Sequence, residues 1–62
     1  MWRVLIADDE PKIRRGLRSF IDWREFDMEV VDEAEDGRMA LEKALALEPD
    51  VMLVDICMPF MN

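Results

Sequence analysis

Two apolar runs that each end in acid constrain this chain more than any other feature. Trp2-Arg3-Val4-Leu5-Ile6-Ala7 closes on Asp8-Asp9-Glu10, and Val51-Met52-Leu53-Val54 closes on Asp55. Runs this short and continuous read as strands covered on both faces, as in parallel sheets with helices above and below. If the two strands lie side by side and parallel, Asp8, Asp9 and Asp55 converge at one edge of a sheet, where open α/β sheets hold their ligands. Three carboxylates gathered there repel one another unless a cation sits between them. An all-oxygen donor set suits Mg²⁺, which keeps several waters beside one or two protein carboxylates. One carboxylate then remains to act as a nucleophile toward a phosphoryl group.

The segments between these runs supply crossovers. Pro11 suits the first turn of a helix, where its missing N–H does no harm. Ile13, Leu17, Phe20 and Ile21 form one stripe of a helix over Lys12–Asp22, with Lys12, Arg14, Arg15 and Arg18 mostly on the other faces. That basic cluster reads as a solvated helix face, since no Gly-rich loop or aromatic pair accompanies it. Asp22-Trp23-Arg24-Glu25-Phe26-Asp27 reads as a loop that lays its aromatics over the bottom of the sheet. Met28–Ala34 reads as a second strand, at a sheet edge because acids are interspersed along it. Asp36-Gly37 marks a turn, with Asp36 capping a helix over Met39–Leu47 whose inner face is Ala40, Leu41, Ala44 and Leu45. Pro49 stops that helix. Asp36 and Asp50 read as cap and turn residues rather than ligands. The order strand, helix, strand, helix, strand argues for parallel pairing with right-handed crossovers.

Composition narrows the function. With 15 acidic and 8 basic residues the formal charge is −7, which argues against direct nucleic-acid binding. No apolar run approaches the ~20 residues of a membrane span, and Met1-Trp2-Arg3 does not open a secretory signal. Cys57 is the single cysteine, so no internal disulfide forms and a reducing cytoplasm is the expected compartment. Histidine is absent, which removes His-based catalysis. The 62 residues make one small domain, able to bury only about 60% of its unfolded surface. Yet 52% of the residues are apolar, so part of that content is expected to find its partner outside the chain.

Asp8-Asp9-Glu10, the Asp36-Gly37 turn and Asp55-Ile56-Cys57-Met58-Pro59, in this order and strand context, closely resemble a response-regulator receiver domain of bacterial two-component systems. Ile21-Asp22-Trp23, followed by Met28-Glu29-Val30-Val31, resembles the subgroup whose receivers precede an AraC-type DNA-binding region. The resemblance covers residues 1–62 but only about the first half of a receiver. It implies a truncated flavodoxin-like α/β unit, β-α-β-α-β, with three parallel strands in the order 2-1-3. It also implies that Asp55 is the phospho-acceptor and that Asp9 ligates Mg²⁺ directly. Asp8 would act largely through bound water, and the backbone carbonyl of Cys57 would be a further metal ligand. The phosphodonor it implies is a phosphohistidine on a sensor histidine kinase, and the output is control of transcription.

Two positions of the family pattern, a hydroxyl residue that contacts the phosphoryl group and a lysine that pairs with it, do not fall within these residues. Lys12 and Lys43 match neither. The expectation is therefore partial chemistry: weak Mg²⁺ binding and poor or absent stable phosphorylation. A different expectation treats the chain as a half-domain that pairs with itself through an uncovered third strand, as a homodimer. An aspartate-nucleophile phosphohydrolase would carry a second Asp at the place of Cys57. A half-Rossmann nucleotide site would carry a Gly-rich turn after the first strand, where two aspartates stand instead.

Overall fold

The computed structural model describes residues 1–55. Strand β1 (Trp2–Ala7) is followed by helix α1 (Pro11–Phe20), a short 3₁₀ helix (Trp23–Phe26), strand β2 (Met28–Ala34), helix α2 (Gly37–Leu47) and strand β3 (Val51–Val54). Both pairings of β1 are parallel, and the sheet order is β2-β1-β3. This is the α/β arrangement expected of a truncated flavodoxin-like unit. Expectations that fall on Ile56–Asn62, including the Cys57 carbonyl and the apolar tail, lie outside the described residues.

Three consecutive side chains of β1, Val4, Leu5 and Ile6, are fully buried. A strand buried on alternate residues is covered on one face; one buried on every residue is covered on both. The central position of β1 explains its unbroken apolar run. Around its far end, Ala7, Ala34 and Ala40 make a small-residue cluster with Met39 against it. These side chains let α2 lie close over β1 and β2.

Strand β2 carries an irregularity that the sequence does not announce. Val4 faces Val30, but Leu5 faces Asp32, so Val31 is the extra residue of a bulge. A bulge admits one residue without a partner and bends the strand. Beyond it, Asp32 reaches Lys43 of α2 at 3.1 Å, whereas Glu33 reaches Arg14 and Arg18 of α1 at 3.0 and 2.7 Å. The solvated basic face expected of α1 is thus half occupied, since two of its four cations are tied to Glu33.

The helices differ from expectation at their ends and faces. Helix α1 stops at Phe20, two residues early, because Asp22 turns to cap the 3₁₀ helix: its Oδ1 accepts from Glu25 N at 3.4 Å. That 3₁₀ helix replaces the expected loop. Trp23 is half-buried, but Phe26 is exposed. Phe20 is 90% exposed, so the far end of the α1 stripe has no cover among the described residues.

Helix α2 begins at Gly37, with Asp36 Oδ1 accepting from Met39 N at 2.7 Å, as a capping aspartate should. Of the expected inner face, Ala40 is buried beside Gly37 and Ala44 is half-buried, but Leu41 and Leu45 are exposed. At the other end, Glu48 takes the left-handed conformation (φ 48°) and donates its N–H to Ala44 O. Pro49 makes the right-handed helical region costly for the residue before it, which ends the helix there. Arg3 closes this end of α2 by donating to Leu47 O, and at 3.4 Å to Glu48 O.

Leu5 is the largest side chain wholly enclosed by the sheet and its helices. Leu5→Ala is expected to cost about 2–5 kcal/mol, comparable with the whole stability of so small a domain. Urea unfolding followed by far-UV circular dichroism should show the variant largely unfolded at 25 °C.

Candidate functional site: an acidic edge at the strand ends

The register of β1 determines what gathers at its carboxyl end. Ala7 faces Ala34 on one side and Val54 on the other, so all three strands end together. Asp8 N donates to Ala34 O at 3.0 Å, and Asp55 N donates to Ala7 O at 3.0 Å. Asp8 and Asp55 thereby leave neighbouring strands at the same height. The chain then turns sharply, because Asp8 Oδ1 accepts from Glu10 N at 2.9 Å, an Asx turn that carries it into α1.

One carboxylate oxygen from each of Asp8, Asp9 and Asp55 lies within 4.8 Å of the other two. Asp8 is buried, Asp9 is exposed and Asp55 is intermediate. The sequence expectation that these three converge therefore describes the structure. A cavity of about 320 Å³ beside them is lined by Ala7, Asp8, Leu17, Leu53, Val54 and Asp55. Its walls are apolar and its acids sit at one end, so a small polar group entering there meets the carboxylates directly.

The donor set suits a hard divalent cation. Mg²⁺ takes oxygens at about 2.0–2.1 Å, which puts neighbouring oxygens of its octahedron about 3 Å apart. Carboxylate oxygens already within 4.8 Å of one another lie close to that spacing. Neither sulfur nor imidazole competes for the position among the described residues.

Positive charge approaches the acidic edge from one side. Arg14 Nη1 donates to the backbone carbonyl of Asp8 at 2.5 Å, and Arg14 Nε donates to Glu33 Oε1 at 3.0 Å. Reading the sequence missed this connection. Arg14 and Glu33 are 19 positions apart, and nothing in the local pattern of α1 separates Arg14 from its basic neighbours. Asp36 and Asp50 take the non-ligand roles expected of them. Asp36 caps α2, and Asp50 Oδ2 accepts from Arg3 N at 2.8 Å at the opposite end of the sheet.

Residues 4–62 match the family model of the response regulator receiver domain. The chain belongs to that family. Among solved structures, the receiver of AraT, a response regulator from Geobacillus stearothermophilus, is 62% identical with a TM-score of 0.90, over 98% of this chain and 47% of that one. The transcriptional regulatory protein LnrK of Bacillus subtilis is 44% identical over 62 residues, all of this chain and 28% of that protein. A protein-glutamate methylesterase/protein-glutamine glutaminase of Caldanaerobacter subterraneus is 48% identical over 60 residues, 97% of this chain and 16% of that protein. The receiver chain thus spans under half the length of each of these relatives. They include both a transcription regulator and an enzyme, so the match places the chain in two-component signalling without selecting an AraC-type output.

The ion pairs beside the site make this receiver acid-sensitive. The hydrogen bond from Arg18, with that from Arg14, holds the Glu33 carboxyl below its ordinary 4.5. The backbone N–H of Glu33, with Lys43, holds the Asp32 carboxyl below its ordinary 3.8. A depressed carboxylate contributes stability that is full above its unfolded value and disappears as pH falls through its folded one. Stability is therefore expected to be level from pH 7 to about 5 and to fall below about pH 4.5. Glu33→Gln should flatten that fall and cost about 1 kcal/mol at pH 7, the scale of a partly exposed pair. Urea midpoints at pH 7 and pH 3.5 for both proteins provide the measurement.

Proposed function

We propose that this receiver accepts a phosphoryl group on Asp55 and passes that change of charge on as a signal, without turnover chemistry of its own. The observation that carries the reading is the meeting of three carboxylate oxygens within 4.8 Å at the ends of two parallel strands. Asp8 and Asp9, with Asp55, would hold Mg²⁺, and the Cys57 backbone carbonyl is proposed as a further ligand. When bound, the ion offsets the negative charge that accumulates between the carboxylates and the phosphoryl oxygens.

The chain's own residues account for the rest. The Asp55 backbone N–H is bonded to Ala7 O, and Asp55 lines the cavity beside the acidic edge, where a donor would arrive. An Asp55 carboxylate oxygen attacks phosphorus in line and the new O–P bond forms. The P–N bond to a phosphohistidine of a sensor histidine kinase breaks, and its electron pair returns to the imidazole. Leu17, Leu53 and Val54 form the apolar wall of the cavity beside that carboxylate. Control of transcription through an AraC-type output is the finer reading. It rests on Ile21-Asp22-Trp23, where Asp22 caps the 3₁₀ helix and Trp23 is half-buried. A cytoplasmic location accords with such a role.

Calorimetric titration with Mg²⁺ tests the site. Even partners that only orient a metal ligand are commonly worth about 10–100-fold in affinity, so loss of a direct ligand in Asp9→Asn is expected to weaken binding about tenfold or more. Equal affinities would remove Asp9 from the site. Labelling of the 62-residue chain by a small phosphodonor should be slow or short-lived and absent in Asp55→Asn. Efficient, long-lived labelling would overturn the expectation that the family's hydroxyl and lysine positions are needed.

One observation supports a second reading for the isolated chain. Strand β3 pairs only with β1 among the described residues, and Met52, Leu53 and Val54 are 37–40% exposed. Pairing of two β3 strands across a two-fold axis would cover them. Sedimentation equilibrium should then show a dimer at micromolar concentration, and a well-folded monomer there would dismiss this reading.

A further inference from the structure

We infer that Arg14 is a positioning residue of the acidic edge: its guanidinium fixes the peptide that joins Asp8 to Asp9, and through it the spacing of the two carboxylates. The inference rests on the proposed metal site and deepens it.

The carbonyl that Arg14 Nη1 engages, at 2.5 Å, is that of Asp8, so the bonded peptide plane is the one linking the two acids. Strand pairing does not otherwise hold that plane. The last bonds of β1 are made by Ala7 O and Asp8 N, one peptide earlier. Asp8 Oδ1 and Glu10 N shape the turn on the far side of it. The Asp8–Asp9 peptide would thus be the loose link between a rigid strand and a rigid helix without a further contact.

Arg14 itself is well fixed. Its side chain is only 14% exposed, and its Nε is bonded to Glu33 Oε1 at 3.0 Å. Glu33 is held in turn by Arg18 at 2.7 Å. Backbone bonds along β2 thus carry the position of Glu33 to Arg14, and Arg14 passes it to the metal-binding loop. A guanidinium suits this work because its planar fork donates in two fixed directions at once. A lysine ammonium at the same place keeps the charge but is a point donor on a flexible stem.

Charge and geometry make opposite demands here, which makes the inference testable. A cation beside the acidic edge repels Mg²⁺, so charge alone predicts that removing it tightens binding. Positioning predicts that removing it loosens binding, because the two carboxylates lose their mutual register. Arg14→Lys keeps the charge and changes only the geometry.

The experiment is Mg²⁺ calorimetry on the complete 62-residue chain and its Arg14→Lys, Arg14→Gln and Asp9→Asn variants. Amide hydrogen exchange at Asp9 and Glu10 is followed in the metal-free proteins alongside. Arg14→Lys and Arg14→Gln should each bind Mg²⁺ about three- to tenfold more weakly, toward the lower end of what outer partners of metal ligands contribute. Both should also exchange the Glu10 amide, which donates to Asp8 Oδ1, faster than wild type. Either folded variant binding as tightly as wild type, or tighter, overturns the inference. Should Arg14→Gln lose its far-UV circular dichroism, Arg14→Lys decides alone. Wild type and Asp9→Asn separate the two levels of the reading. If both bind Mg²⁺ equally, the acidic edge is not the metal site and the inference falls with it. If Asp9→Asn binds more weakly while the Arg14 variants match wild type, the site stands and only the role of Arg14 is lost.

Discussion

Ala7 and Asp8 are each held by one hydrogen bond to a flanking strand, Ala7 through its carbonyl to Asp55 and Asp8 through its N–H to Ala34. Much else depends on these two contacts. They are formed because β1 is parallel to both neighbours and all three strands reach their carboxyl ends at one level. Parallel pairing needs a crossover on each side, and α1 and α2 supply them. The crossovers in turn need a strand buried on both faces, which the unbroken apolar run of β1 provides. Chemistry enters only at the end of that sequence of requirements, where the chain leaves the strands and Asp8, Asp9 and Asp55 come together.

Electrostatics then distinguishes the two ends of the sheet. At the amino end, Asp50 and Arg3 settle one another by local bonds, and the guanidinium of Arg3 closes the end of α2. At the carboxyl end, three carboxylates stand together while Arg14, beside them, gives its donors to the Asp8 carbonyl and to Glu33. A chain carrying −7 overall does nothing to oppose a small divalent cation on the way in.

The sequence revealed whatever is local and periodic. Trp2–Ala7 is read to the residue as an apolar run bounded by acids, and Met28–Ala34 by its adjacent valines and the Asp36-Gly37 turn after it. Asp36 as a cap is equally plain. The meeting of Asp8, Asp9 and Asp55 followed once parallel order was accepted. What escaped is long-range. The bulge at Val31 exists only relative to β1. Ala40 of the expected inner face of α2 is buried, but Leu41 and Leu45 are not, because hydrophobicity alone does not show which side chains the sheet reaches. Arg14 looked like any helix-surface cation until β2 set Glu33 beside it.

The edges of the sheet are treated unequally. On β2, Glu33 N is occupied by Asp32 Oδ1 at 2.7 Å and Glu33 O by Lys43 Nζ at 2.5 Å, with the bulge just before them. Side chains thus stand where another strand would dock. Among the described residues no side chain closes the outer edge of β3 in this way. The two rims therefore differ in what a further strand would meet: side chains already seated on the backbone at Glu33 of β2, and open backbone along β3 as far as the described residues run.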